Sequence, residues 1–331
     1  MDRALIVAPD GSGDYPTVGA ALAFAAALPP GPLEIRLRAG AYREKLRIER
    51  PRLRLVGEGA DRTRLVWGDH ATALLPDGER MGTFNSYTAY IGAPDVSLEG
   101  IAIVNDAGDG RLVGQAVALY ADADRLAFER CAFLARQDTV CLGPLPRDPP
   151  PKGVNLLHPV AGLGPEEPAL PFRMAFRGCL AAGDVDFVFG SAAALFEGCE
   201  IRSLGRGGGD SYIAAPSTYP GQEAGFVFDR CRLTFTPAAP GAAGFGEGGP
   251  ERVFLGRPWR PRGRAVFYRC ELGSHIAAEG WDDWGKPEAR DLGYLGELGS
   301  TGPGASPSAR VPWAGAPAEE EVEAMIRAIR F

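Results

Sequence analysis

Apolar residues along this chain fall in short runs separated by Gly, Asp and Arg, with no sustained helical period. A pattern Phe-x-x-Cys recurs at Phe128/Cys131, Phe176/Cys179, Phe196/Cys199, Phe228/Cys231 and Phe267/Cys270. Leu98/Ile101, within SLEGIAI, repeats the unit with other apolar residues. Each copy reads as a short β-strand with inward apolar positions and turn residues at its ends. The irregular spacing argues against a fixed-period helical array. It predicts stacked coils, a β-solenoid in which each coil buries its face against its neighbours. Phe and Cys three apart lie on opposite faces of an ideal strand, so both point inward only if a turn or bulge separates them.

The ends of the chain read differently. Leu5 to Val7 predicts a first strand, and the alanine-rich stretch Thr17 to Leu28 a helix that covers the open N-terminal end of the coils. Coils are expected from about Leu33 to Gly273, then an extended arm after Trp284. The final AEEEVEAMIRAIRF places Val322, Met325, Ile326 and Ile329 on one helical stripe, with acidic residues in the first turn to complement the helix dipole. The domain expected is a single one over 1–331: a cap over about 1–30, coils over about 31–285, and an arm with a helix over about 286–331. Two segments break the rhythm: the Pro-rich Gly143 to Pro171 and the Gly/Ala/Pro-rich Pro237 to Pro250, read as a mobile loop. Loops of this length in a compact fold are usually functional or disordered.

Composition narrows the function classes. Of 331 residues, 45 are Gly and 29 Pro, as a turn-rich β fold needs. The formal net charge is −7 with no basic stripe, which argues against nucleic acid. No run of 18 apolar residues exists, so no membrane span is expected. The N-terminus lacks a basic start followed by an apolar core, so it does not read as a signal peptide. A cytoplasmic location is expected, or a secreted one if a leader has been lost. Five of the six cysteines occupy the repeat position, where a free thiol acts as a small buried hydrophobe, and this suits a reducing compartment. No Cys/His cluster points to a metal, and no cofactor is expected. The histidines, His70, His158 and His275, are scattered, and there is no G-x-S-x-G elbow.

The candidate chemistry lies in two aspartates. Asp138, in RQDTV, follows Cys131 by seven positions, and Asp186, in GDVDFVFG, follows Cys179 by seven. Equal phase in two repeats puts the carboxylates one above the other on adjacent coils, where strands lie about 4.8 Å apart. Two carboxyls that close do not ionise alike, so one can serve as an acid while the other is an anion. The bland alternative is two surface aspartates in turns.

The motifs around them carry a family resemblance. GAYRE (Gly40 to Glu44), QAVAL (Gln115 to Leu119), QDTV (Gln137 to Val140), GDVDFVFG (Gly183 to Gly190) and LGRPW (Leu255 to Trp259) stand in this order. With DGSGDYPTV, EGWDDWG and GPGA they resemble the motif set of the pectin methylesterases over nearly the whole chain. The resemblance implies an all-β, right-handed parallel β-helix that hydrolyses C6 methyl esters of methylated polygalacturonate or oligogalacturonides. It implies Asp186 as nucleophile, Asp138 as general acid and then base, Gln115 and Gln137 as oxyanion donors, and Arg257 as the partner of Asp186. Trp259, Phe187, Phe189, Thr83 and Val185 would contact the sugars. Without the resemblance, the glutamines read equally as ladder residues, Arg257 as a solvated arginine, and Trp259 and Phe189 as core. The glycines of GDVDFVFG read as turn positions needing positive φ.

The chain departs from the family pattern at Cys141, where many relatives have tyrosine, and in its Pro-rich insert. The insert resembles that of bacterial members without signal peptides, for which short methylated oligomers are a plausible substrate. A monomer is expected. The rival readings are a thioesterase on the same scaffold and a non-catalytic carbohydrate-binding solenoid. A lyase would want an acidic Ca²⁺ cluster, which the sequence lacks.

Overall fold

Two residues after each repeat phenylalanine, or its leucine counterpart, the backbone turns a corner through the left-handed region. Gly100, Arg130, Gly178, Gly198, Arg230 and Arg269 have φ of 62°, 50°, 57°, 60°, 51° and 53°. One left-handed residue between two strands redirects the chain, so that Phe and Cys both enter the interior, and all five pairs are buried. This is the turn that the three-residue spacing required. The computed structural model describes residues 4–147, 149–151, 156–163, 168–238 and 251–331, with the backbone of 248–250.

Among the described residues the corners join three parallel sheets of ten, eight and seven strands. One coil runs Leu126–Glu129 in the ten-stranded sheet, Ala132–Leu134 in the eight-stranded and Val140–Leu142 in the seven-stranded sheet. The next runs Arg173–Arg177, Leu180–Gly183 and Val185–Gly190. The architecture is a right-handed parallel β-helix. Register puts Phe128, Phe176, Phe196, Phe228 and Phe267 in one column, with consecutive ring centroids 4.6, 4.4, 4.7 and 4.3 Å apart. Such stacked pairs add about 0.5–1.5 kcal/mol each beyond area burial. The cysteines form a second column. Each thiol donates to the carbonyl of the repeat residue one coil back, from 3.5 Å at Cys131 to 3.2 Å at Cys270. All six cysteines are free and buried.

The N-terminal helix, Val18–Ala27, covers the end of the coils as expected, burying Val18, Ala21 and Ala25 in the main core. Its exposed N–H groups are satisfied by Thr17 Oγ1 and by Glu44 of the GAYRE motif. The two carboxylate oxygens of Glu44 accept from Val18 and Gly19 at 2.8 Å each. The C-terminal helix, Glu319–Ile329, lays Val322, Ile326 and Ile329 on the outside of the ten-stranded sheet against Leu195, Val227 and Val266. Met325 is only partly buried there.

Two expectations are corrected. The arm after residue 285 is not merely extended: Tyr294–Leu298 adds a strand to the ten-stranded sheet, paired with Arg264–Tyr268, so the coils continue past their expected end. The second loop is shorter than expected, because Gly248–Gly256 is a strand that pairs with Gly208–Pro216; residues 239–247 lie outside the described residues. No described helix is long and apolar enough to cross a membrane.

Candidate active site

The corner from the eight-stranded to the seven-stranded sheet carries the two aspartates. Asp138 and Asp186 both have left-handed backbone, φ 63° and 50°. Val140 pairs with Val188, so the two aspartates keep the same offset on adjacent coils, and the Asp138 N–H donates to the Val185 carbonyl at 3.0 Å. Left-handed backbone disfavours a residue with a Cβ by about 1–2 kcal/mol, and such positions persist where surrounding structure fixes them. Of the GDVDFVFG glycines, Gly190 has positive φ, 126°. Gly183 is required for a different reason: a Cβ there would lie 2.3 Å from the Phe187 Cβ.

Arg257, just past the strand Gly248–Gly256, grips Asp186 with two parallel hydrogen bonds. Nε donates to Oδ1 at 2.9 Å and Nη2 to Oδ2 at 2.7 Å. The guanidinium is itself sandwiched between the rings of Tyr212 at 3.7 Å and Trp284 at 3.8 Å. Lys286 lies on the same Trp284 ring at 3.8 Å and donates to the Pro258 carbonyl at 3.0 Å. Burial, Arg257 and Arg260 together bring its pKa down to about 8.

The two carboxyls are in unequal surroundings. Burial raises Asp186, which is only 6% exposed, while the hydrogen bonds and charge of Arg257 oppose the rise. Asp138 is raised well above the usual carboxylate range, first by burial and then by the charge of Asp186; the more distant Arg257 and a hydrogen bond from the Gln137 side chain counter this only in part. Asp138 keeps a partly exposed edge toward the cleft. The arrangement therefore favours the anion at Asp186, which Arg257 holds, and the acid form at Asp138. Gln115 and Gln137 stand on neighbouring coils next to this corner, linked by the Ala116 N–H donating to the Gln137 carbonyl at 3.1 Å.

The floor beside the aspartates is aromatic. Trp259 stacks on Phe84 at 6.3 Å and meets Phe189 edge-on at 5.8 Å. Phe189 thus faces the outer cluster rather than the core. Phe187 does not flank the cleft: it is fully buried in the main core. The physical reason is a bulge. Phe187 and Phe189 are two apart and would share one face of an ideal strand, but between Val185 and Val188 the pairing with the next strand shifts register and breaks that alternation. Thr83 opens a short 3₁₀ turn that carries Phe84. Val185 packs with Tyr212 and Phe254 beside Arg257. Tyr212, Trp284, Phe84 and Lys286 were not singled out from sequence. The only signal for any of them is the second Trp of EGWDDWG: Trp281 is core, and Trp284 faces Arg257.

The Pro-rich insert packs on the same outer face, though residues 148, 152–155 and 164–167 lie outside the described residues. Its Leu145 and Val160 cover Tyr90, Tyr120 and Cys141, all buried. Asp122 anchors it, accepting from the Ala161 N–H at 2.7 Å and the Tyr90 hydroxyl at 3.0 Å. Among the described residues no group of three or more His, Cys, Asp or Glu is placed to hold a metal ion.

Fold and site together define a parallel β-helix ester hydrolase built around an arginine-held aspartate and a second one only partly compensated. The sequence profile of the pectinesterases matches residues 4–142 and 169–328, and the chain belongs to the pectinesterase family of carboxylic ester hydrolases. The gap in the match falls on the insert. A carrot (Daucus carota) pectinesterase is 33% identical over 94% of this chain and 86% of its own length. The tomato (Solanum lycopersicum) pectinesterase/pectinesterase inhibitor U1 is 33% identical over 94% of this chain, but the match spans only 47% of that longer protein. Among solved structures, pectin methylesterase from carrot superposes with a TM-score of 0.75 at 31% identity, covering 96% of this chain and 88% of its own. A pectin methylesterase in complex with a hexasaccharide gives 0.72 at 26% identity over 96% and 94%.

Proposed function

We propose that the protein hydrolyses C6 methyl esters of methylated galacturonan, releasing methanol. The observation that carries this is the pair of in-phase aspartates on adjacent coils, with Asp186 gripped by the bidentate Arg257 and Asp138 raised by burial and by the charge of Asp186. The Asp186 carboxylate attacks the ester carbonyl carbon, and the Gln115 and Gln137 amides donate to the oxyanion that forms. Losing such a donor costs on the order of 10²–10³ in rate. On collapse the C–O bond to the methoxy group breaks, and Asp138 gives its proton to the departing oxygen. Asp138, now a carboxylate, takes a proton from water as that water attacks the acyl-enzyme. This frees the galacturonate acid and restores Asp186. Trp259 and Phe189 supply apolar surface for the sugar faces.

The covered outer face favours a further reading. With Tyr90, Tyr120 and Cys141 under the insert, the cleft is walled on that side, which supports short methylated oligomers over long polymers as substrates. The buried free thiols support a reducing, cytoplasmic setting. Methanol release from methylated oligogalacturonides, set against thiol release from acyl thioesters, tests the main reading. Thiol release without methanol release contradicts it.

A further inference from the structure

Resting on the esterase reading, we infer that Lys286 is a positioning residue for the nucleophile. Through Trp284 and the Pro258 carbonyl it steadies Arg257 against Asp186, and its ammonium is a second positive charge that favours the Asp186 carboxylate. The turn that carries Lys286 is closely fixed. The Asp282 carboxylate accepts from the Trp284 N–H at 2.7 Å. The Asp283 carboxylate accepts from the Gly285 N–H at 2.9 Å, and the Asp283 carbonyl from the Lys286 N–H at 3.0 Å. Trp284 has left-handed backbone, φ 55°, a conformation that a residue with a Cβ keeps only where its surroundings impose it.

That turn brings one indole to two cations. The Arg257 guanidinium and the Lys286 ammonium each lie 3.8 Å from the centre of the Trp284 ring, so they are at most twice that distance apart. Lys286 also donates to the carbonyl of Pro258, the residue after Arg257, at 3.0 Å. The contact ties the turn that presents Arg257 to the turn that presents Trp284. Like charges this close repel, the more so away from water. Half-buried Lys286 forms no ion pair among the described residues, whereas Lys45 pairs with Asp69 at 2.5 Å. The charged groups around Lys286 are Arg257, Arg260, Asp186 and Glu288. Burial and the two arginines lower its pKa to about 8, and the two carboxylates oppose them. The cation is thus held against repulsion, next to the ion pair that makes the nucleophile. Asp186 is raised by burial, and Lys286 stands after Arg257 among the charges that oppose the rise, with Asp282 acting the other way. Asp138 and Tyr212 also face Asp186, from the neighbouring coils. Removing the ammonium therefore sends the Asp186 pKa up.

With a fully methylated trimer as substrate, the acid limb of kcat/KM for methanol release reports the ionisation of Asp186 in the free enzyme. Lys286→Met should move that limb up by about half a pH unit, roughly threefold in the ionisation constant. Lys286→Arg keeps the charge and should return the limb to its wild-type position. A residue that only packs would lower kcat/KM at every pH alike. An unmoved limb in folded Lys286→Met therefore overturns the proposal, as does an equal displacement in Lys286→Arg. A second measurement needs no turnover and no Lys286 variant. The chain has three lysines, Lys45, Lys152 and Lys286, so ¹³C-lysine labelling gives three side-chain signals to follow by NMR. Coupling between two sites is reciprocal, so Lys286 should titrate about half a unit lower in Asp186→Asn than in wild type. Equal titration in the two proteins contradicts the coupling. If wild type releases no methanol from any ester, it is the esterase reading that fails, and this titration still judges the pair.

Discussion

Two corners of the coils that carry Asp138 and Asp186 use the same backbone device for opposite ends. At the corner from the ten- to the eight-stranded sheet, left-handed Arg130, Arg230 and Arg269 point into solvent, and Gly100, Gly178 and Gly198 fill the position in three other coils. The device there serves packing, because it brings Phe and Cys into one core. At the next corner, left-handed Asp138 and Asp186 supply the two candidate catalytic carboxyls. Here the side chain rather than the turn is what matters, and glycine would make the turn at lower strain. The comparison teaches that the strain at the second corner is retained for chemistry.

The largest effect should come from breaking the second corner with glycine. Asp138→Gly and Asp186→Gly should each lower methanol release by more than about a thousandfold. Asp138→Gly should not lower the melting temperature, since left-handed strain of about 1–2 kcal/mol is relieved, whereas Asp186→Gly should lower it, because the buried Arg257 loses its counter-charge. A destabilised or partly active Asp138→Gly would reject the contrast.

Arg257→Ala should cost on the order of a hundredfold in kcat/KM, and it should move the pH profile in a defined direction. Asp186 must be ionised to act, burial already raises its pKa, and Arg257 opposes that rise. Removing the guanidinium sends the pKa higher, so the acid limb of the profile moves to higher pH. An acid limb that stays in place would deny Arg257 this role.

Asp122 is a buried carboxyl under the insert with no ion pair among the described residues, and burial raises its pKa from 3.8 to about 7, against the weaker pull of Arg47. Gly143 meets it closely: a Cβ there would lie 2.1 Å from Oδ1. Because the folded-state pKa lies above the unfolded value, the folded protein binds the extra proton between about pH 4 and 7. Stability is therefore lost as pH rises through that window. Asp122→Asn keeps the acceptor for Ala161 and Tyr90 and removes the charge. It should raise stability at pH 8 by on the order of a few kcal/mol, read as a higher melting temperature, and change little at pH 4. Equal melting at both pH values relative to wild type would contradict the account.

The smallest effect belongs to the first corner. Arg130→Gly relieves left-handed strain but loses surface pairs to Glu99 and Glu129. The net change should stay within about 1 kcal/mol, with activity intact. A large loss in denaturant melts would show that the arginine does more than turn the chain.

Much of this was legible because the repeat is. Stacked coils transmit phase, so equal offsets from Cys131 and Cys179 place Asp138 beside Asp186. The capping helix and the C-terminal stripe were readable from alanine content and period. What was not readable has local causes. An arginine at positive φ leaves no compositional mark, so the Phe/Cys corner stayed ambiguous. One extra residue in Val185–Gly190 sent Phe187 inward and Phe189 outward. The sandwich on Arg257 joins Tyr212, Arg257 and Trp284, which only the stacking of coils brings together. Tyr294–Leu298 is short and contains glycine, so it lacked a strand pattern.

The central claim is that two aspartates in equivalent positions are held in opposite protonation states. Infrared difference spectra at neutral pH test it directly. Wild type minus Asp138→Asn should show loss of a protonated carboxylic-acid C=O band, and wild type minus Asp186→Asn loss of ionised carboxylate bands. The reverse assignment, or two carboxylates, would contradict the account.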